Sequence, residues 1–142
     1  MSNLIYTLNH DVPRLFSKIV EWARDRNIIK GSTPQDQFTK LLEEVIELYS
    51  TLHPDKTGLQ VRNSILDLTS ELYFRGKINQ APAGKTIEDD VGDCVVVLTI
   101  ISEMQGLTMQ KCISHGYSDI EHRKGEMIDG IFVKESDLIN EL

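Results

Sequence analysis

The chain has 142 residues and a formal net charge of -7, with 40% hydrophobic and 26% charged residues. This length and composition favour a single soluble globular domain and argue against wholesale disorder. The acidic balance argues against general nucleic-acid binding, because phosphate backbones attract clustered Lys and Arg. The longest basic run is His122-Arg123-Lys124. An enzyme of this composition that acts on polyanions would therefore need metal ions or a few positioned cations.

We find no targeting or membrane-spanning signal in the sequence. Residues 1–6 lack the basic region and long apolar stretch of a signal peptide, and no later segment approaches the roughly 18 apolar residues of a membrane span. The two cysteines, Cys94 and Cys112, form no CxxC pair and lie in apolar stretches. We therefore expect buried free thiols, no membrane partner and a cytoplasmic location.

Two helices are predicted in the first part of the chain. Asp11 is a suitable N-cap, Pro13 falls in the first turn, and the apolar residues that follow have helical spacing, which predicts a helix over 12–26. A single apolar stripe over 38–52 predicts a second helix, which ends before Pro54. The next stretch contains another candidate helix, followed by segments rich in Gly and Pro that break helices.

Two further helices and a hairpin are predicted in the second half. Thr86 can cap a helix over 87–105, Thr108 can cap another that ends near 124, and the Asp129-Gly130 pair between apolar residues indicates a small hairpin. The helix over 87–105 is apolar on almost every side, so we expect it to be central. Its predicted buried stripe consists of Val91, Cys94, Val95, Leu98, Ile101 and Met104.

Paired carboxylates occur on two of these helices. Glu44 and Glu47 are three residues apart, and so are Asp90 and Asp93, a spacing that places both members of a pair on one helix face. Two antiparallel helices would bring the four carboxylates together, where they would repel one another unless a divalent cation neutralised them. Mg²⁺ prefers such hard oxygen ligands. Gly92 costs about 1 kcal/mol relative to Ala inside a helix, which indicates a close approach to the backbone there.

A simpler interpretation explains the same acids one by one. Glu43 and Glu44 can form a solvated helix face, and the acids at 88–90 can complement the dipole of the helix that begins there. Taken singly, each motif favours this interpretation. The occurrence of two matched pairs shifts the balance towards a metal site.

Five segments of the sequence resemble the MazG-like nucleoside triphosphate pyrophosphohydrolases, whose signature is ExxE on one helix and ExxD on the next. They are Lys40–Leu48 and Ile87–Leu98, which carry the acids, together with 22–26, 31–33 and 120–127. The likeness is greatest to the short phage and bacterial members and covers most of the chain apart from 54–85.

The chain departs from the family pattern in two places. Asp90 stands where the family usually has Glu, so its carboxylate lies one methylene further back. The stretch between the two acidic motifs is longer than usual, which marks 54–85 as an inserted segment. Both departures bear on the choice of substrate more than on the chemistry.

The resemblance implies an all-α, four-to-five-helix MazG-like bundle with a small C-terminal β-hairpin. The helical domain would span 1–125, with a tail or hairpin over 126–142, and the protein would form a homodimer or homotetramer. The implied reaction is Mg²⁺-dependent hydrolysis of a (deoxy)nucleoside triphosphate to a nucleoside monophosphate and pyrophosphate, as in house-cleaning of nucleotide pools.

The resemblance also implies a metal site and a catalytic base. Glu44, Glu47, Asp90 and Asp93 would hold Mg²⁺, with Mn²⁺ as a substitute, and Glu44 or Glu47 would orient or deprotonate the attacking water. Glu43 is not expected to bind the metal directly, and is expected to lie behind the metal ligands or at the protein surface.

Four other residues are candidate substrate contacts, each with a structural alternative. Trp22 can stack on a base or anchor a core or an interface. Arg123 and Lys124 can hold phosphates or complement a helix dipole. Lys40 can reach a phosphate or form an i,i+4 ion pair with Glu44.

Two other protein classes compete with this interpretation. A di-iron carboxylate bundle needs ExxH-like motifs, and only the stretch 119–122 comes close to one; His10, His53 and His115 have no ligand spacing. A non-catalytic helical interaction module would keep the bundle and leave a degenerate site, an alternative favoured chiefly by Asp90.

Overall fold

The computed structural model describes residues 11–138. The first six residues and His10, for which we stated expectations, lie outside this range. In chain order the helices are α1 Val12–Asp25, α2 Ile28–Gly31, α3 Pro34–Leu52, α4 Gly58–Phe74, α5 Ile87–Met104, α6 Met109–Ile120 and α7 Glu135–Leu138, and the strands are β1 Gly125–Ile128 and β2 Ile131–Lys134. The predicted fold class, all-α with a small C-terminal hairpin, is confirmed.

The helix starts follow the capping residues in the sequence. Asp11 accepts a hydrogen bond from the backbone N–H of Arg14, and Thr86 and Thr108 cap α5 and α6 in the same way. Thr57 begins α4 with a complete capping box, in which its hydroxyl and the side chain of Gln60 satisfy each other's backbone N–H groups. Because a cap stabilises a helix by typically about 1 kcal/mol, these starts are fixed locally.

The chain divides into two compact units. The second unit is Pro34–Lys85, in which α3 packs against α4. The first unit contains the remaining described residues, 11–33 and 86–138. In this first unit α1 packs against α2 and α6, α5 packs against α6, and α7 packs against both strands.

The C-terminal hairpin is antiparallel, with Met127 opposite Phe132. Its turn residues, Asp129 and Gly130, have φ of 50° and 81°, the left-handed conformation that two-residue hairpin turns require. Gly125 at the start of β1 is needed for a different reason, because a Cβ there would overlap the carbonyl of Val133.

The end of α6 differs from the prediction, since the helix stops at Ile120 and not near 124. A helix that ended near 124 would leave its last four carbonyls, 121–124, without partners inside the helix. In the structure the carbonyls of Glu121 and Arg123 accept hydrogen bonds from the guanidinium of Arg26. The helix is followed by the turn that leads into β1.

Burial is sparse in the part of the chain that the structure describes. The buried apolar residues there are Leu15, Ala23, Ile28 and Val61. The prediction of a buried stripe on a central α5 is wrong for the structure over residues 11–138, in which no residue of this helix is buried. Leu98 and Ile101 are half-buried, whereas the exposed members of that stripe are Val91, Cys94, Val95 and Met104. An apolar pattern indicates that a helix is buried, but it does not indicate whether the same chain or another molecule buries it.

Neither of the two cysteines is buried. Cys94 and Cys112 are both free thiols, but Cys94 is exposed and Cys112 is half-buried, so the prediction of buried thiols is wrong. Between residues 11 and 138 no single helix has the length and apolarity to cross a bilayer; α5 and α6 would meet that test as a pair bent by 101°.

Candidate functional site

The first acidic motif lies in the middle of α3, where Glu44 and Glu47 are exposed and one turn apart. Lys40 lies one turn earlier, with its Nζ 2.9 Å from Oε1 of Glu43 and 3.2 Å from Oε1 of Glu44. Partial burial of Lys40 opposes its charge, but the hydrogen bonds and charges of Glu43 and Glu44 together raise its pKa. The ion-pair alternative for Lys40 is therefore observed, and its contact with a phosphate stays a prediction.

The second acidic motif lies at the start of α5. Asp90 and Asp93 are exposed and one turn apart, beyond the cap that Thr86 provides. A Cβ at Gly92 would meet no atom within 4 Å among the described residues. Packing within the chain therefore does not explain this glycine, and the surface around it is open to a ligand or another molecule.

The two acidic pairs belong to different compact units, with Glu44 and Glu47 in the second unit and Asp90 and Asp93 in the first. Considered within residues 11–138, neither unit alone brings together three or more His, Cys, Asp or Glu side chains that could hold a metal ion. Each pair thus supplies two carboxylates on one helix face.

Trp22 is part of a small aromatic cluster on α1. Its ring packs edge-on against Phe132 of β2, with 5.7 Å between the centroids, and the guanidinium of Arg26 lies 4.8 Å from its centroid. Its Nε1 is buried and has no hydrogen-bond partner among the described residues. The anchoring role proposed for Trp22 is observed, because the ring joins α1 to the hairpin; stacking on a base stays a prediction.

Arg123 and Lys124 lie in the turn between α6 and β1. Arg123 is half-buried and Lys124 is exposed. Their backbone is held by Arg26, which donates from Nε to the carbonyl of Arg123 at 2.7 Å. Sequence reasoning did not identify Arg26, although its position one turn after Trp22 was visible.

The three histidines between residues 11 and 138 make local contacts. His53 stacks on Tyr49, with 4.1 Å between the centroids. His115 lies 3.4 Å from Oδ2 of Asp119, and His122 lies 3.5 Å from Oε1 of Glu121. Each of these contacts joins residues that are close in sequence. The rings of His115 and His122 are exposed.

A polar cluster between α3 and α4 was not predicted. The hydroxyl of Tyr49 is hydrogen-bonded to Ser64, and Nζ of Lys56 donates to Oγ of Ser64 at 2.8 Å. Tyr49 and Ser64 border an open depression of about 410 Å³, which is also lined by Asp67, Leu68 and Glu71. The cluster depends on how α4 packs against α3, which spacing along the chain does not indicate.

Tyr49 provides a direct test of this packing. The hydrogen bond from Ser64 lowers the pKa of Tyr49, burial opposes that shift, and Lys56 adds to it. We expect Ser64→Ala to move the ionisation of Tyr49 to higher pH, because the phenolate loses a hydrogen-bond donor. The ultraviolet absorbance of the protein, minus that of Tyr49→Phe, isolates this titration. The matched control is Ser70→Ala on the exposed side of α4, and an unmoved Tyr49 titration in Ser64→Ala would contradict the packing.

Comparison with known proteins leaves the family open. No protein-family profile matches the chain, and no solved structure matches it. The chain is similar to an uncharacterized 18.2 kDa protein encoded in the rep-hol intergenic region of Haemophilus phage HP1 (strain HP1c1), with 32% identity over 93 residues. The matched region covers 66% of this chain and 40% of that relative. The structure therefore defines the class, an all-α protein with two exposed carboxylate pairs, and the chain is similar to this phage protein over the matched region.

Proposed function

We propose that the protein is a Mg²⁺-dependent nucleoside triphosphate pyrophosphohydrolase of the MazG-like kind. The observation that carries the proposal is the pair of acidic motifs, Glu44 with Glu47 on α3 and Asp90 with Asp93 on α5, each exposed on one face of its helix. The reaction would serve house-cleaning of nucleotide pools in the cytoplasm.

The donor set fits Mg²⁺ chemically, because all four groups are carboxylates and Mg²⁺ prefers hard oxygen ligands. Glu44, Glu47, Asp90 and Asp93 would hold the ion, and Mn²⁺ could replace it. When bound, the ion would neutralise charge on the phosphate oxygens of the substrate. The open surface around Gly92 is compatible with a bulky polyanion near the second motif.

Other residues of the chain would handle the water and the phosphates. Either Glu44 or Glu47 would orient the attacking water or accept its proton. Arg123 and Lys124 would contribute cationic groups to the triphosphate, since the chain as a whole is acidic and must concentrate positive charge locally. Trp22 and Lys40 are further candidate contacts for the base and a phosphate.

The proposed enzyme is a homodimer or homotetramer. Half or more of the surface of Val96, Val97 and Met104 on α5 is exposed, at 57%, 56% and 76%. Further exposed apolar residues occur on the other long helices, such as Phe38 at 58% and Leu59 at 66%. Exposed apolar surface on a helix such as α5 is typical of association sites, and closed homo-oligomers are the usual form of association.

The products of hydrolysis test the proposal. We expect a panel of ribonucleoside and deoxyribonucleoside triphosphates, incubated with the protein and Mg²⁺, to yield nucleoside monophosphate and pyrophosphate from at least one member. Chelation with EDTA should abolish the reaction. Orthophosphate with nucleoside diphosphate as products would contradict the assignment, as would no hydrolysis across the whole panel.

A further inference from the structure

Arg26, the residue that follows α1, donates side-chain hydrogen bonds to the turn before β1, across separations of 97 and 95 residues. Its Nε donates to the carbonyl of Arg123 at 2.7 Å and its Nη2 to the carbonyl of Glu121 at 3.5 Å. Its Nη1 donates to the carbonyl of Trp22 at 3.4 Å. All three guanidinium nitrogens are thus used on backbone carbonyls, and the group also covers the Trp22 ring. A side chain engaged in this way is suited to holding the turn.

The backbone around Arg123 and Lys124 is fixed from other directions as well. The N–H of Arg123 donates to the carbonyl of Ile120 at 2.8 Å, and the carbonyl of Lys124 accepts from the N–H of Glu135 at 2.9 Å. Each peptide group of this dipeptide is therefore tied either to α6, to α7 or to Arg26. Two adjacent cationic residues on a fixed backbone lose less conformational freedom on binding an anion than they would on a flexible loop.

The hairpin that follows is tied to the same point. Phe132 packs against Trp22, the ring that Arg26 covers. Gly125 directly follows Lys124, and its lack of a Cβ allows the Val133 carbonyl to approach closely. Trp22 and Arg26 thus secure the turn and the strands after it.

We propose that Arg26 is a positioning residue for triphosphate binding, which acts by holding the backbone of Arg123 and Lys124 in place. The inference rests on the proposed function, in which these two residues contact the phosphates. Arg26 itself does not need to touch the substrate, because its nitrogens already donate to carbonyls. A lysine in its place would keep the charge but could not donate to several carbonyls at once.

The test is steady-state kinetics of Arg26→Gln with the best triphosphate substrate. We expect KM to rise about tenfold, because the variant loses charge-assisted hydrogen bonds that support binding. The value of kcat should change less than about twofold, since Arg26 does not contact the reacting atoms. Arg26→Lys should give an intermediate KM and keeps the test available if the glutamine variant folds poorly. The matched control is Arg24→Gln, which removes the same charge from an exposed arginine two residues away and should leave KM unchanged.

A triple variant, compared with Arg26→Gln and with the Arg123→Gln/Lys124→Gln pair, separates positioning from general support of the fold. If Arg26 acts through the cationic pair, Arg26→Gln should add little to the KM already raised by Arg123→Gln with Lys124→Gln. If the KM increases caused by Arg26→Gln and by the cationic-pair substitutions were fully additive in free energy, the inference would be overturned. An unchanged KM in Arg26→Gln would also overturn it, whether or not kcat and the melting temperature fell.

Binding of inorganic tripolyphosphate distinguishes this inference from the proposed function. Calorimetric titration of the wild-type protein should show binding that weakens about tenfold in Arg26→Gln. A wild-type protein that hydrolyses triphosphates while Arg26→Gln binds tripolyphosphate equally well would overturn the role of Arg26 alone. A wild-type protein that neither binds tripolyphosphate nor hydrolyses any triphosphate would overturn both proposals.

Discussion

Replacing Asp93 with asparagine is expected to reduce Mg²⁺-dependent turnover by at least about a hundredfold, because a lost metal ligand removes several kcal/mol of charge stabilisation. The melting temperature should stay within a few degrees of the wild-type value. Asp93 is exposed, and substitutions at exposed positions usually change stability by no more than about 0.5 kcal/mol. Removing one of several neighbouring negative charges also relieves repulsion in the metal-free protein.

The control for this variant is Asp89→Asn. Asp89 is an exposed acid in the first turn of the same helix, so the substitution changes the net charge equally without touching the proposed ligands. Turnover by Asp89→Asn should remain close to wild type. Loss of folding in Asp93→Asn, or equal loss of activity in both variants, would assign a structural role to the acidic turn.

Charging the apolar surface of α5 is expected to dissociate the protein. Gly92, Val96 and Ile100 follow one another at four-residue spacing, which places them on one helix face. Val96 and Ile100 are 57% and 49% exposed, and the space around Gly92 is open. A second copy could approach this face closely. Val96→Glu would place an unpaired charge in such an interface, a cost of several kcal/mol that should weaken association by at least about a hundredfold.

Light scattering over a range of concentrations measures this effect. The wild-type protein should be a dimer or tetramer, and Val96→Glu should be a monomer at the same concentration. Gln110→Glu is the control, because it adds the same charge at an exposed position on α6 and should leave the assembly intact. A wild-type protein that is monomeric at every concentration would contradict the predicted assembly.

The sequence predicts the helices well wherever their limits depend on neighbours along the chain. Asp11, Thr86 and Thr108 mark helix starts that the structure confirms, because a cap acts within one turn. The hairpin at Asp129 and Gly130 is confirmed for the same reason. The short helices α2 and α7 were not predicted, since four residues carry too little periodicity to recognise.

Features that depend on distant parts of the chain, or on other molecules, were not predicted. The hydrogen bond from Arg26 to the turn after α6 is one example, because it joins residues that are 97 positions apart. Exposure along α5 could not be inferred either, because an apolar pattern is the same whether a helix is covered by its own chain or by a partner. The carboxylate pairs were recognisable because three-residue spacing on a helix is local. Whether the two pairs share one metal ion, as we propose, is not a local property and cannot be read from spacing.

Metal binding by Glu47→Gln and Asp93→Asn is the most direct test of that joint use. Titration with Mn²⁺, followed by electron paramagnetic resonance, counts bound ions without requiring turnover. We expect the wild-type protein to bind Mn²⁺ at a site that each single substitution weakens severely, and the double variant to be no worse than the weaker single variant. If each substitution instead left the wild-type site intact, or removed a separate site of its own, the acids of α3 and α5 would not share one metal ion.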